Sequence, residues 1–283
     1  MLHPRLRACQ PVLGLFAQDD PTISPRKLGA VAPRLGLLDR SDDRWPKLLD
    51  ALTDLNDSAT DGSMYKLFFL GRHGQGYHNV GARRYGAALW DAYWTKFNGD
   101  GDLVWGPDPD LTALGKQQAR DAHAVWKKEL AAGAPIPDKA YSSPLSRAID
   151  THQIIYSDLA SEAPTPLVVE NLREFYGKDT CDKRSTRSEI VSAFPEVDIE
   201  EGFTEEDELW TEEPESKENV RERAADVVER IFCEADDAQV IAITAHRNIL
   251  HELLHLVGRE GYSYGLATGG ILPVVVKATP VAR

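Results

Sequence analysis

Two hydrophobic patterns alternate along this chain. Short unbroken apolar runs, Lys66–Leu70 (KLFFL), Val240–Thr244 (VIAIT) and Ile271–Lys277, predict buried strands, and Lys139–Ser142 and Leu167–Glu170 are shorter strand candidates. Between them, apolar residues recur every three or four positions. Thr112 can cap a helix from about Ala113 to Leu130, and Pro144 precedes a helix over Leu145–Ser157. Val220, Ala224, Val227, Val228 and Ile231 form the stripe of a helix over Val220–Phe232, and Ile249–Val257 predicts another. Helices alternating with buried strands predict an α/β fold of three layers, a mainly parallel sheet flanked by helices. In such sheets the site lies at the carboxyl ends of the strands.

Upstream, Trp45, Leu48, Leu49 and Leu52 share one face of a helix from about Trp45 to Leu55, and Asp54–Ser63 is a polar break. Residues 1–62 are therefore expected to pack on the main domain, 63–283, as an extension.

Composition narrows the functional classes. With 283 residues, 42% apolar and 27% charged, the chain can bury a core without staples. No apolar run reaches the roughly 18–20 residues of a membrane span. The three cysteines, Cys9, Cys181 and Cys233, are odd in number, far apart and without CxxC spacing, which fits a reducing, cytoplasmic compartment. Arg5 and Arg7 precede an apolar stretch, Val12–Ala17, that is shorter than the ~7–15 residues of a secretory core. A net charge of −13 without a dominant basic patch argues against nucleic acid as partner. Acidic residues crowd between Glu196 and Glu218, where Lys217 is the only basic residue; this reads as a solvated, mobile loop, or as a lid that repels the wrong anions.

The candidate chemistry begins where the first strong strand ends, at Gly71-Arg72-His73-Gly74-Gln75-Gly76-Tyr77-His78-Asn79. A guanidinium beside an imidazole, with glycines that let the backbone approach a bulky anion, suits a phosphate group. Further motifs follow in order: Leu111-Thr112-Ala113-Leu114-Gly115-Lys116-Gln117-Gln118-Ala119, then Ser142-Ser143-Pro144-Leu145-Ser146-Arg147-Ala148 with Thr151, then Thr244-Ala245-His246-Arg247. Over about residues 65–277 the chain resembles the histidine phosphatase superfamily, the phosphoglycerate-mutase-like proteins. In its GRHGxGYHNV stretch, its YW pair and its CDKR segment it is most similar to the fungal branch.

The resemblance implies that His73 attacks phosphorus and becomes a phosphohistidine, that Arg72, Arg147 and His246 hold the phosphoryl oxygens, and that a Glu or Asp after the middle strands protonates the leaving group. The chemistry agrees, since phosphoryl transfer is mostly positioning and charge stabilisation. Glu174, in Leu172-Arg173-Glu174-Phe175-Tyr176-Gly177, matches best, with Glu170, Asp179 and Asp182 as competitors. Gly74, His78, Asn79, Arg173 and Arg247 are candidate substrate ligands, although His78 could instead orient Asn79, and Arg247 could be a surface ion pair. Arg83, Arg84, Lys178, Lys183, Arg184 and Arg187 could recognise substrate beyond the phosphate. Ala267-Thr268-Gly269-Gly270 could offer backbone groups to the phosphate or form a plain tight turn.

The expected function is a metal-independent phosphomonoesterase that acts on a small phosphorylated metabolite and needs no cofactor. A phosphomutase is the alternative within the fold, weakened because Gly76-Tyr77-His78 replaces the Glu-x-Trp common after the mutase His-Gly-Glu. A catalytically inactive phospho-ligand-binding protein is the alternative from another class. His251-Glu252-Leu253-Leu254-His255 satisfies the H-E-x-x-H zinc pattern. It lies, however, in an amphipathic stripe, and only Glu260 follows as a third ligand, just past a helix end at Gly258.

Overall fold

The computed structural model describes residues 7–20, 22–23, 25–159, 163–234, 237–259 and 266–281. The apolar runs become strands of one seven-stranded sheet: β1 (Arg7–Val12), β2 (Met64–Arg72), β3 (Lys139–Ser142), β4 (Pro166–Val168), β5 (Asp198–Ile199), β6 (Val240–Ala245) and β7 (Ile271–Pro280). The order is β1-β7-β2-β6-β3-β4-β5. Strands β2, β6, β3, β4 and β5 are parallel, and β7 runs antiparallel to both β2 and β1. The helices are α1 (Pro25–Leu28), α2 (Arg44–Asp57), α3 (Tyr77–Tyr85), α4 (Ala87–Ala92), α5 (Ala113–Leu130), α6 (Ser146–Tyr156), α7 (Arg187–Ala193), α8 (Lys217–Glu234) and α9 (Arg247–Leu256). None among the described residues is long and apolar enough to cross a membrane.

Successive side chains of β2 face opposite layers. Phe68 and Leu70 join Ile241, Ile243, Val274 and the apolar stripes of α8 and α9. Leu67 and Phe69 join Val275, Trp45 and Leu48 of α2, and Trp126 of α5. Phe69 meets Trp126 edge-on, 4.4 Å between ring centroids, so truncating it to Ala should cost about 3–5 kcal/mol. Buried Glu129 of α5 accepts from Trp45 Nε1 (2.9 Å) and from Arg44 (2.7 Å), tying α2 to the same layer. The extension also gives the sheet its edge strand, β1, which sequence reasoning did not foresee. Leu167–Glu170 is cut short: β4 ends at Val168, and Glu170–Leu172 is a 3-10 turn.

After β2 the chain crosses to β3, beyond the place that β6 later fills, and returns between them. This reversal opens a crevice at the carboxyl ends of β2, β6 and β3. Arg72 pairs in register with Ala245, and Ser142 with Thr244, so the three chain segments leave the sheet side by side.

Candidate active site

The loop after β2 is braced on every side. His73 N–H donates to Ala245 O (3.0 Å) and Gly74 N–H to Thr151 Oγ1 (2.9 Å). Gln75 N–H donates to Gln118 Oε1 (2.8 Å), and Thr112 Oγ1 donates to Gln75 Oε1 (2.9 Å) while capping Gly115 N–H (3.0 Å). Gly74 and Gly115 lie backbone to backbone, and a Cβ on either would collide with the other strand of the contact. The Leu-Thr-x-x-Gly-x-x-Gln motif is therefore the splint of the His73 loop. The turn at Gly269 and Gly270 splints its other side. Gly269, at φ +73°, donates to both Arg72 O (3.1 Å) and His73 O (3.0 Å), so this segment is a tight turn whose N–H faces the loop.

His73 is 2% exposed. Its Nδ1 lies 2.6 Å from Gly74 O. A carbonyl can only accept, so the proton sits on Nδ1 and Nε2 is left with its lone pair. Burial, with Arg147 and Arg72 nearby, pushes the imidazolium form well below its usual range, so the ring is neutral at physiological pH. The His246 ring lies 4.9 Å away and the His78 ring 5.3 Å, centroid to centroid. His246, at the N-cap of α9, is hydrogen-bonded through Nε2 to Ser143 Oγ (2.8 Å). Burial holds both of these histidines neutral as well.

Arg147, in the first turn of α6, is 1% exposed. Nη1 donates to Cys181 O and Nη2 to Asp182 Oδ1, both at 2.8 Å. Arg72 Nη1 donates to Leu266 O (2.8 Å). The buried Nε atoms of both arginines, His246 Nδ1 and His78 Nδ1 have no hydrogen-bond partner among the described residues. Polar atoms of this kind are costly to bury without a partner, and the two guanidinium N–H groups need an acceptor. A bound anion would supply one. Gly76 permits the convergence, because a Cβ there would meet the His78 ring at 2.7 Å and Arg147 Cδ at 3.4 Å.

Glu174 reaches the same crevice from the loop after β4. Its Oε1 accepts from Asn248 N–H (2.9 Å) in the first turn of α9. Burial raises the carboxyl above its usual range, against the opposing pull of that N–H, Arg72 and Arg147. The competitors fare differently. Glu170 is paired with Arg173 and Arg184 (both 2.8 Å), and Asp182 is the counter-ion of Arg147.

Several expected ligands have other work. Arg173 does not face the crevice: its guanidinium is enclosed by Glu170, Asp207 (2.7 Å) and Asp182 O, so its expected substrate contact is withdrawn. Arg184 is likewise enclosed by Glu170, Thr204 and Glu206 O, while Arg84 pairs with Asp100 and Lys178 with Asp91. Asn79 Oδ1 accepts from Gly76 N–H (3.0 Å), locking the start of α3, and its side chain makes no hydrogen bond to His78. Arg247 is exposed, is close enough to weigh on Arg72, and makes no ion pair among the described residues. Nor is the acidic segment a free loop. Asp207 holds Arg173, Glu215 grips Arg223 through both oxygens (2.7 Å each), and Glu200 pairs with Arg230. In the H-E-x-x-H stretch, Glu252 pairs with Arg221 (3.1 Å), and no third metal-ligating side chain gathers with His251 and His255 among the described residues. Glu260 lies outside them.

Sequence reasoning named Thr151 with the arginine motif but gave no role to it, to Ser143 or to Asp108. Asp108 accepts from Ser146 N–H (2.8 Å) and Ser146 Oγ (2.7 Å), capping α6 from a distant loop. Ser143 and Thr151 stood inside the arginine motif, which was the available signal. Asp108 carried none.

The architecture is that of a phosphoglycerate-mutase-like α/β protein. The crystal structure of phosphoglycerate mutase from Bacillus anthracis superposes with a TM-score of 0.51 at 16% identity, covering 77% of this chain and 90% of that one. The family model of the histidine phosphatase superfamily (branch 1) matches residues 68–265, and the chain belongs to that superfamily. Fungal relatives agree. A protein of Arthroderma benhamiae named "Probable phosphoglycerate mutase" is 35% identical over 94% of this chain and 83% of its own length. "Phosphomutase-like protein 3" of Candida albicans is 36% identical over 92% and 77%.

Proposed function

We propose that this protein is a metal-independent phosphomonoesterase that hydrolyses a small phosphorylated metabolite through a phosphohistidine on His73. The observation that carries the reading is the Nδ1 contact of His73 with Gly74 O, at 2.6 Å on a buried, neutral ring. It leaves Nε2 as a nucleophile beside Arg72, Arg147 and His246. These groups supply the cationic and donor surface that a transferring phosphoryl group needs. The cytoplasm is the compartment we assign, from the number and spacing of the cysteines.

In the first step the Nε2 lone pair attacks phosphorus and the ester P–O bond breaks. The Glu174 carboxyl gives its proton to the departing oxygen. In the second step Glu174 takes a proton from water as that oxygen bonds phosphorus. The P–N bond breaks, its electron pair returns to Nε2, and phosphate leaves with Glu174 protonated again.

The names of the fungal relatives favour a second reading, a phosphomutase in which phosphohistidine passes its phosphate to an acceptor hydroxyl. One experiment serves both. The protein is incubated with a panel of metabolite phosphates, with phosphate release and phosphate exchange between sugar phosphates measured in parallel and His73→Ala as the blank. Hydrolysis predicts release and an acid-labile, base-stable adduct on quenched wild-type enzyme. Exchange without release selects the mutase, and turnover by His73→Ala at the wild-type rate removes both.

A further inference from the structure

The proposed mechanism counts His246 among the donors to the phosphoryl group, and a neutral imidazole donates from one nitrogen only. Which nitrogen carries the proton is set by the partner of the other. That partner is Ser143, and both residues are fully buried (0% exposed). Ser143 follows the carboxyl end of β3, and its N–H donates to Thr244 O (3.0 Å), which holds the end of β3 against the end of β6. Its hydroxyl has two neighbours. The N–H of Leu145, the N-cap residue of α6, donates to Oγ at 3.3 Å, and His246 Nε2 lies 2.8 Å from the same oxygen.

We propose that Ser143 is a positioning residue of this site: it donates its hydroxyl hydrogen to His246 Nε2, and so fixes the tautomer whose Nδ1–H is left to donate to a phosphoryl oxygen. The inference rests on the phosphohistidine reading above.

The buried hydrogen-bonding groups decide between the tautomers. Ser143 Oγ already accepts from Leu145 N–H, so its own hydrogen needs an acceptor, and among the described residues that acceptor is Nε2. With Ser143 donating, one group stays unpaired in the free protein, Nδ1–H. With the proton on Nε2 there would be two, the Ser143 hydroxyl hydrogen and the Nδ1 lone pair. Each buried group without a partner is costly, so the first arrangement is favoured. A lone pair on Nδ1 would also have backbone N–H groups to accept from, because His246 is the N-cap residue of α9. Its side chain makes no such cap, and Asn248 N–H goes to Glu174 Oε1 instead (2.9 Å).

His73 and His246 then use one tautomer in opposite senses. The Gly74 carbonyl can only accept, so it holds the His73 proton on Nδ1 and leaves the Nε2 lone pair to attack. The Ser143 hydroxyl occupies the Nε2 lone pair of His246 and leaves Nδ1–H. Two rings 4.9 Å apart thus offer a nucleophile and a donor.

The experiment is long-range proton–nitrogen NMR of the imidazole rings in the resting enzyme, with the His246 resonances assigned by their loss in His246→Ala. In the wild type, Nδ1 of His246 should resonate in the protonated range and Nε2 in the lone-pair range. The reverse order overturns the inference, and needs no variant of Ser143 to be seen. In Ser143→Ala the two resonances should move toward each other as the tautomers mix. Resonances unchanged from wild type would show that Ser143 does not set the tautomer. A role confined to Leu145 and the start of α6 is separated by a double-mutant cycle on single-turnover phosphorylation. His246→Ala removes a donor and should slow the step by about 10²–10³-fold. Ser143→Ala should slow the wild type by more than the about twofold scatter of independent sites, and the His246→Ala enzyme by no more than that. Equal changes in the two backgrounds would overturn the inference. Wild-type enzyme that forms no adduct on His73 would instead overturn the phosphohistidine reading, while the resting spectrum still tests the tautomer.

Discussion

Gly115→Ala puts the splinting of the nucleophile loop to a severe test. Gly115 is the third residue of α5, with unexceptional helical backbone, so alanine should suit the local conformation. Its gain in helix propensity is at most about 0.8–1 kcal/mol. Against this, the added Cβ would lie 2.8 Å from Gln75 N, and closer still to the Gln75 carbonyl oxygen. Ordinary carbon contacts begin near 3.5 Å, so the loop must retreat by about 0.7 Å or more. Overpacking of this kind costs about 1–3 kcal/mol, and the net loss of stability is therefore small. Activity should suffer more. Gln75 is two residues from His73, and a misplacement near 1 Å can cost about 10²-fold. The assay is kcat/KM on a nitrophenyl phosphate alongside thermal unfolding, with Leu114→Ala as control, since Leu114 is 50% exposed. The expected result is a folded Gly115→Ala enzyme, its melting point lowered by a few degrees, with kcat/KM down about a hundredfold, and an unimpaired control. A folded Gly115→Ala enzyme within about twofold of wild type would show that the close approach of α5 does not position His73.

Glu174→Gln should lose about 10²–10⁴-fold with alkyl phosphates, the usual contribution of a general acid, and far less with activated aryl phosphates. Equal losses in single-turnover phosphorylation would remove Glu174 from that role. Because the Glu174 carboxyl is raised, wild-type activity on alkyl phosphates should persist into a pH range where an ordinary Glu is ionised, and fall as pH rises through the raised value. Turnover should survive exhaustive treatment with EDTA, since Arg72 and Arg147 supply the positive charge that a metal would otherwise bring. Loss restored by zinc would reopen the case for His251 and His255.

Long unbroken apolar runs were legible because a strand covered on both faces has no polar positions to confuse its pattern: β2, β6 and β7 fall where KLFFL, VIAIT and the last run predict them. Strand β1 escaped because Arg7-Ala8-Cys9-Gln10-Pro11-Val12 lies at a sheet edge, where one side of the strand faces solvent and polar residues are tolerated. Two-residue β5 and the short helix α7 are too brief for any period to show. Among the site residues, those that leave the ends of β2 and β6 were legible from their place at a strand end taken together with the family resemblance. The long-range partners were not. Nothing in Leu172-Arg173-Glu174 says that one charged side chain faces the crevice and the next turns away. That depends on Asp207, thirty-four residues downstream, which draws Arg173 out of the crevice.

The same pairing logic bears on how a chain of net charge −13 can keep a cationic pocket. Arg173, Arg184 and Arg223 are buried close to Glu174, and without counter-ions they would make the neighbourhood indiscriminately basic. Each is gripped by acids: Arg173 by Glu170 and Asp207, Arg184 by Glu170, Arg223 by Glu215. Asp207 and Glu215 come from the acidic segment. Breaking a buried pair of this kind costs about 3–5 kcal/mol, so a passing phosphate cannot compete for these arginines. Arg147 has a single carboxylate partner, Asp182, beside the Cys181 carbonyl, and Arg72 has only the Leu266 carbonyl. Under the proposed function, the acidic segment sharpens the site by occupying Arg173 and Arg223, and leaves Arg72, Arg147 and the exposed Arg247 to meet the substrate.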